Sequence, residues 1–182
     1  MHEETATREP TVMLDRLRPG DWVAVHAWRR LDQVCRFQPW GPETQEQTQA
    51  FVREAARAWS RDPQYRFPYL ARRGDDVVGM GELHVRDEEQ RQGEVVCFVH
   101  PNAWGGTGTA IAHELLRRGF EQLGLHRIYA TCDPRNRRSA RVLTKVGMTY
   151  ERRHRHTVLI RDGWRDSDIF SILEHEWRRQ PA

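Results

Sequence analysis

The chain reads Trp104-Gly105-Gly106-Thr107-Gly108-Thr109-Ala110 between a valine-rich run that ends at Val99 and an amphipathic run from Ile111 to Leu123. This order predicts a strand, a glycine-rich turn and a helix. The backbone amides of such a turn, together with the positive end of the helix dipole, form a site for anions such as phosphate. We therefore predict that the turn holds the pyrophosphate of a nucleotide-derived carrier.

Length and composition are those of one soluble globular domain, because the chain has 182 residues of which 38% are hydrophobic and 30% are charged. No apolar stretch reaches the roughly 18 residues that a membrane-spanning helix requires. Residues 1–10 are polar and carry no apolar signal core, so we expect a disordered leader there and a cytoplasmic protein. Residues 11–178 are expected to form a single domain.

Charged residues are unevenly distributed along the chain. The charged residues at positions 135–165 are mostly basic, and those at positions 75–94 are mostly acidic. The net charge of the chain is only +3. Two interpretations stay open: both segments are solvated faces, or the basic segment faces a polyanionic ligand and the acidic segment faces an amine. The basic residues are nearly all arginines, whose planar guanidinium groups suit phosphate.

No metal site is predicted. Cys35, Cys97 and Cys132 are far apart, without the spacing of metal ligands or of a disulfide framework. His154 and His156 lie two residues apart on a predicted strand, but no third ligand lies nearby in the sequence. We expect Cys97 and Cys132, which lie in apolar runs, to be small core residues.

Hydrophobic periodicity predicts a mixed α/β order, in which antiparallel strands come first and a strand-helix-strand crossover follows. The predicted strands cover residues 12–18, 67–72, 77–85, 94–99, 126–132, 150–160 and 168–177. Helices are predicted after Asp21, after Thr44, over residues 111–123 and over residues 139–146. Asp21 is expected to cap the first helix, and Thr44 with Gln47 to form a capping box for the second.

Four segments, taken in order, carry a resemblance to a known family. They are His100–Ala110, Gly119–Ile128, Asn136–Met148 and the tail from Asp162 to Trp177. Together they resemble the GNAT superfamily of acyl-CoA-dependent N-acetyltransferases, and within it the RimJ/RimL branch, which acetylates protein N-terminal amines and various small amines. The resemblance runs from about residue 12 to residue 177 and implies the GNAT fold, a mixed α/β architecture with a central, mostly antiparallel, splayed sheet flanked by helices.

The sequence departs from the family pattern at three positions. Gly105 takes the first position of the phosphate loop, where glutamine or arginine is usual, so a side-chain contact is lost while the backbone amides remain. Met148 stands where phenylalanine is usual. The frequent tyrosine acid of the family is absent, and the resemblance implies that Ser139 takes its place, as a serine often does in this branch.

The resemblance also implies which residues hold the acyl carrier. A backbone amide near Val99 would polarise the thioester oxygen, Asn136 would hydrogen-bond the pantetheine arm, and Ser139 would protonate the departing sulfur. The pyrophosphate would lie on the turn formed by Gly105, Gly106, Thr107, Gly108, Thr109 and Ala110. The alternative for Asn136 and Ser139 is that they merely begin and cap a helix.

Glu94 is the predicted general base. It lies eleven residues before Gly105, the separation of the base glutamate in histone-type relatives, and a carboxylate at a strand mouth can accept a proton through water. Glu82, His84 and His154 are weaker candidates on adjacent strands. Two alternatives stay open, since Glu94 could be only an exposed strand end, and an amine that binds unprotonated needs no base.

The resulting prediction is an acyltransferase that moves an acetyl group from acetyl-CoA, its co-substrate, to a primary amine by direct attack in a ternary complex. The acceptor would be a protein N-terminal amine or a small-molecule amine such as an aminoglycoside or a polyamine. The alternative is a non-catalytic acyl-CoA-binding or regulatory module. A nucleic-acid partner is disfavoured, because the basic segment contains no recognisable reader motif, and a homodimer stays open.

Overall fold

A computed structural model of the protein describes residues 11–179, so the predicted leader at residues 1–10 lies outside the described residues. The strands are β1 (Val12–Arg16), β2 (Arg66–Arg73), β3 (Asp76–Asp87), β4 (Gln92–Val99), β5 (Arg127–Cys132), β6 (Thr149–Ile160) and β7 (Gly163–Leu173). The helices are α1 (Trp22–Arg29), α2 (Asp32–Cys35), α3 (Gln45–Arg57), α4 (Thr107–Arg117), α5 (Arg137–Lys145) and α6 (Glu174–Trp177).

One seven-stranded sheet contains these strands in the order β1-β2-β3-β4-β5-β7-β6. Neighbouring strands are antiparallel except β4 and β5, which run parallel because α4 forms the crossover between them. Pairing between β4 and β5 joins only Gln92–Glu94 to Arg127–Tyr129, and beyond that point the two strands separate. The predicted mixed α/β architecture, a mostly antiparallel sheet flanked by helices, is confirmed.

Both faces of the sheet bury apolar side chains. One face packs against α4 and α5, and we call it the α4–α5 face. Its apolar cluster includes Leu115, Ile128 and Leu143. The opposite face, the α1–α3 face, carries a second cluster that includes Trp28 and Val52. Helices on each side therefore wall the region in which β4 and β5 separate.

The helix after the glycine turn is longer than predicted at its N-terminus. It begins at Thr107, directly after the turn, and not at residue 111. At its other end the chain continues in a π-helical segment, Arg118–Gln122. Gly124 then adopts a φ of +62°, the left-handed conformation that ends many helices, so the predicted stop is confirmed.

The two predicted N-terminal caps have different outcomes. The Thr44–Gln47 capping box is confirmed, with Gln47 N–H donating to Thr44 Oγ1 at 3.3 Å and Thr44 N–H donating to Gln47 Oε1 at 2.9 Å. Asp21 occupies the N-cap position of α1 as predicted, but its side chain makes no capping hydrogen bond to that helix. Its carboxylate accepts the Arg18 backbone N–H at 2.7 Å and so closes the short 3₁₀ segment Pro19–Asp21 that precedes the helix.

The predicted last strand has the wrong bounds. β7 begins at Gly163, because residues 163–167 pair with β6 although their charged side chains are typical of a loop. It ends at Leu173, whose N–H donates to Glu176 Oε2 at 2.8 Å. That contact starts α6, which occupies residues predicted to continue the strand.

Gly79 lets β3 lie close to the part of β4 that separates from β5. A Cβ atom at this position would overlap the backbone oxygen of Phe98 and would lie 3.1 Å from the Cα of Val99. Because both are backbone atoms, we expect Gly79→Ala to lower the free energy of unfolding by about 1–3 kcal/mol. Urea denaturation measures this change. Gly20→Ala is the matched control, since nothing lies within 4 Å of its Cβ position, and equal effects of the two substitutions would contradict the prediction.

Candidate active site

The gap between β4 and β5 exposes one hydrogen-bonding edge of β4. His100 N–H donates to Val78 O on the β3 side at 2.9 Å. Because backbone groups of successive strand residues point to opposite edges, the N–H of Val99 points toward the gap. The structure thus places the Val99 amide where the resemblance requires a donor.

A cleft with a volume of about 1470 Å³ passes through this gap. It exceeds the roughly 300–1,000 Å³ typical of pockets for small ligands, and so suits a long one. Six of the predicted site residues line it: Val99, Gly105, Gly106, Gly108, Asn136 and Ser139. Four others are not among the described residues that line it: Glu94, Thr107, Thr109 and Ala110.

The start of α4 presents unpaired backbone donors beside the cleft. Gly105 and Gly106 have φ values of +108° and +126°, which favour glycine. Gly106 is the N-cap, and no side chain caps the helix. The N–H groups of Thr107, Gly108 and Thr109 therefore lack intrahelical acceptors and can bind an anion.

Three residues of the predicted phosphate turn have structural roles as well. Thr107 is fully buried, and its hydroxyl accepts a hydrogen bond from Arg73 Nη2 at 2.7 Å. A Cβ atom at Gly108 would lie 3.3 Å from Val142 Cγ2, so glycine lets α4 begin close to α5. Ala110 N–H donates to Gly106 O at 3.0 Å, and that amide is therefore used within the helix.

Arginines surround the same part of the cleft. Arg137, Arg138 and Arg141 of α5 all line it, and the Arg138 guanidinium lies 3.9 Å from the centre of the Trp104 ring. None of the three forms an ion pair with a described residue. This placement favours the interpretation of the basic segment as a surface for a polyanion.

Asn136 and Ser139 lie together at the start of α5. Asn136 Oδ1 accepts the Ser139 backbone N–H at 3.2 Å, so the capping interpretation is correct for Asn136. The side-chain NH₂ of Asn136 and the Ser139 hydroxyl are not used in that contact. The Ser139 hydroxyl lies near the Cys132 thiol, and burial raises the pKa of Cys132 to about 11, so this thiol stays protonated and is no nucleophile.

Glu94 lies away from these residues, on the α1–α3 face. It is opposite His84 of β3 and Tyr129 of β5, where the sheet is still fully paired. Its carboxylate oxygen Oε2 is 2.6 Å from Arg86 Nη2 and 2.8 Å from Arg86 Nε. The structure thus places the Val99 amide and the predicted acid, Ser139, on the same cleft. The predicted base, Glu94, does not line that cleft.

Glu82 belongs to a buried hydrogen-bond network. Arg66 binds its carboxylate through two contacts of 2.7 and 2.8 Å, and His84 Nε2 lies 2.9 Å from it. Burial by itself raises the pKa of Glu82, but the hydrogen bonds from His84 and Arg66 outweigh it and lower the pKa to about 2. Glu82 is therefore a fixed carboxylate and not a proton acceptor near neutral pH.

The acidic segment at positions 75–94 does not form one pocket for an amine. Asp75 and Asp76 lie at the turn before β3, whereas Asp87 and Glu88 lie at the turn after it. A strand of twelve residues separates the two turns. The carboxylates at these two turns therefore do not share one pocket.

Arg165 is a cleft residue that the sequence did not single out. It lies on β7 and lines the same cleft, but in the sequence it is one arginine among many. It lies between Trp164 and Asp166, in the part of β7 that precedes the predicted start of the strand at residue 168. A prediction of the full β7 strand would have placed the Arg165 side chain on the sheet face opposite that of Phe170.

Residues 11–179 contain neither a candidate metal site nor a candidate membrane-spanning helix. No group of three His, Cys, Asp or Glu side chains within that range could hold a metal ion. No helix in the same range is both long and apolar enough to cross a membrane.

A family model described as an acetyltransferase (GNAT) domain matches residues 11–149. The chain belongs to the GNAT acetyltransferase family. It is 32% identical over 158 residues to the uncharacterized N-acetyltransferase YnaD of Bacillus subtilis, a match that covers 86% of this chain and 90% of that protein. The family and these relatives make it an acetyl-CoA-dependent N-acetyltransferase acting on amines, and they disfavour the non-catalytic module.

Solved GNAT structures have the same fold. An acetyltransferase from Bacillus anthracis superimposes with a TM-score of 0.78 at 28% identity, covering 92% of this chain and 98% of that one. Spermidine N-acetyltransferase from Vibrio cholerae, solved with CoA and spermine, gives a TM-score of 0.80 over 93% of this chain and 99% of that one. At 17% identity this second likeness concerns the fold alone.

The residues on the cleft fit the acetyl-CoA that GNAT acetyltransferases use. Uncapped amides and three arginines suit its phosphates, and the separated edge of β4 suits an amide-containing arm. Because a side chain at Gly108 would meet Val99 and Val142, this position leaves no room for a large group.

We expect Gly108→Glu to weaken CoA binding at least tenfold, because the substitution adds a negative charge and bulk beside the phosphate site. Isothermal titration calorimetry with CoA measures the dissociation constant. Gly20→Glu adds the same charge where no atom lies within 4 Å of the Cβ position, and should bind CoA like the unmodified protein. Unchanged affinity of Gly108→Glu would show that the phosphates bind elsewhere.

Proposed function

We propose that the protein transfers the acetyl group of acetyl-CoA to a primary amine by direct attack in a ternary complex. The observation that carries this proposal is the separation of β4 from β5 beside the uncapped start of α4. The cleft in that gap reaches from residues of α5 to residues of α2, on opposite faces of the sheet, so donor and acceptor can approach each other through it.

Bound acetyl-CoA supplies a thioester carbonyl carbon for the amine to attack. The Val99 N–H would donate to the carbonyl oxygen and stabilise the negative charge that develops there. The Asn136 side-chain NH₂ would donate to the pantetheine arm while its Oδ1 continues to cap α5. The Ser139 hydroxyl would give its proton to the departing sulfur, and the proton that the attacking nitrogen loses as the amide forms would restore the hydroxyl through solvent.

The proposal places the protein in the RimJ/RimL branch, with residues 11–178 as its one domain and a cytoplasmic location. Support for the branch comes from the four sequence segments and from Ser139 at the position where that branch often has a serine. A protein N-terminal amine and a small-molecule amine are both acceptors of this branch. A polyamine is the acceptor named for the Vibrio cholerae neighbour, whose likeness concerns the fold alone.

Ser139→Ala tests the proposed acid. Its backbone N–H, and not its hydroxyl, makes the contact with Asn136, so alanine retains the start of α5. We expect kcat to fall about 10²-fold because a general acid contributes that much or more, while the dissociation constant for CoA stays unchanged. A thiol-release assay measures kcat. Ser60→Ala, an exposed serine after α3, is the control, and full activity of Ser139→Ala would exclude the acid role.

The proton of the amine needs no dedicated acceptor in this proposal. The Glu94 carboxylate is paired with Arg86 at 2.6 Å, so an incoming amine would have to compete with that arginine for it. Binding of the amine in its unprotonated form is then sufficient.

Glu94→Gln separates these two possibilities. We expect the acidic limb of the pH profile of kcat/KM to stay where it is, because the pKa of the amine itself then sets it. Arg86→Gln, which frees the carboxylate without removing it, is the companion variant. Loss of the acidic limb in Glu94→Gln would establish Glu94 as the base.

A further inference from the structure

Arg165 is a half-buried cation with two buried nitrogen atoms that have no partner among residues 11–179. Its Nε and Nη1 atoms are buried and make no hydrogen bond. Within residues 11–179, no carboxylate forms an ion pair with its guanidinium group. Burial lowers the pKa of Arg165, although the nearby Asp133 and Cys132 oppose this. Buried donors without acceptors are costly, so a site of this kind is suited to an anion that arrives from outside.

Strand alternation sets the direction of the Arg165 side chain. Phe170 and Ile172 of β7 belong to the cluster on the α4–α5 face. Arg165 lies an odd number of residues from Phe170, and β7 has no bulge of its own between them, so its side chain points to the α1–α3 face. Arg165 therefore enters the cleft from the face opposite Ser139.

Two carboxylates on this side of the cleft, Asp133 and Asp32, already have arginine partners. Asp133, which is buried, accepts hydrogen bonds from Arg135 at 3.0 and 2.7 Å. Arg161 donates to Asp32 of α2 at 2.7 Å, a contact that joins the β6–β7 turn to this side of the cleft. Asp133 is thus neutralised by Arg135, and the charge of Arg165 is left for a ligand.

The phosphates of acetyl-CoA do not need Arg165. The amides at the start of α4 and the arginines of α5 lie on the α4–α5 face. An anion bound to Arg165 would lie on the α1–α3 face. If acetyl-CoA occupies the α4–α5 face, the acceptor must approach from the α1–α3 face. The anion is therefore part of the acceptor.

We infer that the acceptor is a primary amine that also carries a carboxylate, and that Arg165 binds this carboxylate. The inference rests on the proposed function, because it assigns the second substrate of the same cleft. Free amino acids and peptides with an acidic N-terminal residue share this chemistry. A polyamine has only positive charges, which Arg165 would repel.

Acetyl-CoA consumption with matched pairs of amines tests the inference. In the first pair, methionine has a free α-carboxylate and methioninamide does not. In the second pair, a peptide that begins with Asp has a side-chain carboxylate, and the same peptide beginning with Asn does not. Spermidine is the cationic comparison. For one of the pairs, kcat/KM should be about 10–100-fold higher for the carboxylate member, as expected for a hydrogen bond to a charged group. The pair that shows the preference identifies the source.

Variants at Arg165 assign the preference to this side chain. Arg165→Gln should reduce the preference to less than about twofold and leave the dissociation constant for CoA unchanged. Its melting temperature should equal or exceed that of the unmodified protein, because an unpaired buried charge is removed. Arg165→Lys should keep part of the preference. Arg53→Gln, an exposed arginine on α3, is the control and should change none of these values.

The outcomes separate this inference from the proposed function. Acetylation without a preference for the carboxylate, or with a preference for spermidine, would overturn the inference. The proposed acetyltransferase function would then still stand. A preference that survives in Arg165→Gln would overturn the assignment to Arg165. CoA binding without acetylation of any amine would overturn the proposed function, and with it the inference.

Discussion

The short pairing between β4 and β5 is the constraint on which the rest of the molecule depends. Three residues of each strand pair, and then the strands separate, so that the β4 edge from Val95 to Val99 is free of a partner strand. An unpaired edge inside a domain is unstable unless its polar groups find other partners. In this protein the free edge lines a cleft that suits a ligand with hydrogen-bonding groups of its own.

Helices on both faces of the sheet line the cleft, with α5 on one face and α2 on the other. The crossover through α4 makes β4 and β5 parallel neighbours, and it also places a helix start with free N–H groups at the end of β4. The α5 helix adds arginines and the Asn136–Ser139 pair on the same face. The cleft thereby has uncapped amides on one side of the sheet and Arg165 on the other.

Local signals predicted the elements well and the charged groups poorly. The capping box at Thr44 and the helix stop at Gly124 depend on a few adjacent residues, and both were predicted correctly. The acidic segment is continuous in the sequence, yet β3 holds Asp75 and Glu88 at opposite ends of a strand. Glu94 was singled out by its spacing, but Arg86, brought beside it by the turn between β3 and β4, occupies its carboxylate.

The glycine pattern, the periodicity and the four segments together were enough to indicate the family and the mixed α/β sheet. These features follow from residues close in the chain, where backbone conformation and helix starts are decided. Pairing between distant charges was decided only by the tertiary structure. Arg165 and the nearby Arg135 look alike in the sequence, but folding pairs Asp133 with Arg135 and leaves two buried nitrogen atoms of Arg165 without a partner among residues 11–179. That difference arises because an ion pair depends on which strands become neighbours, and no local pattern records it.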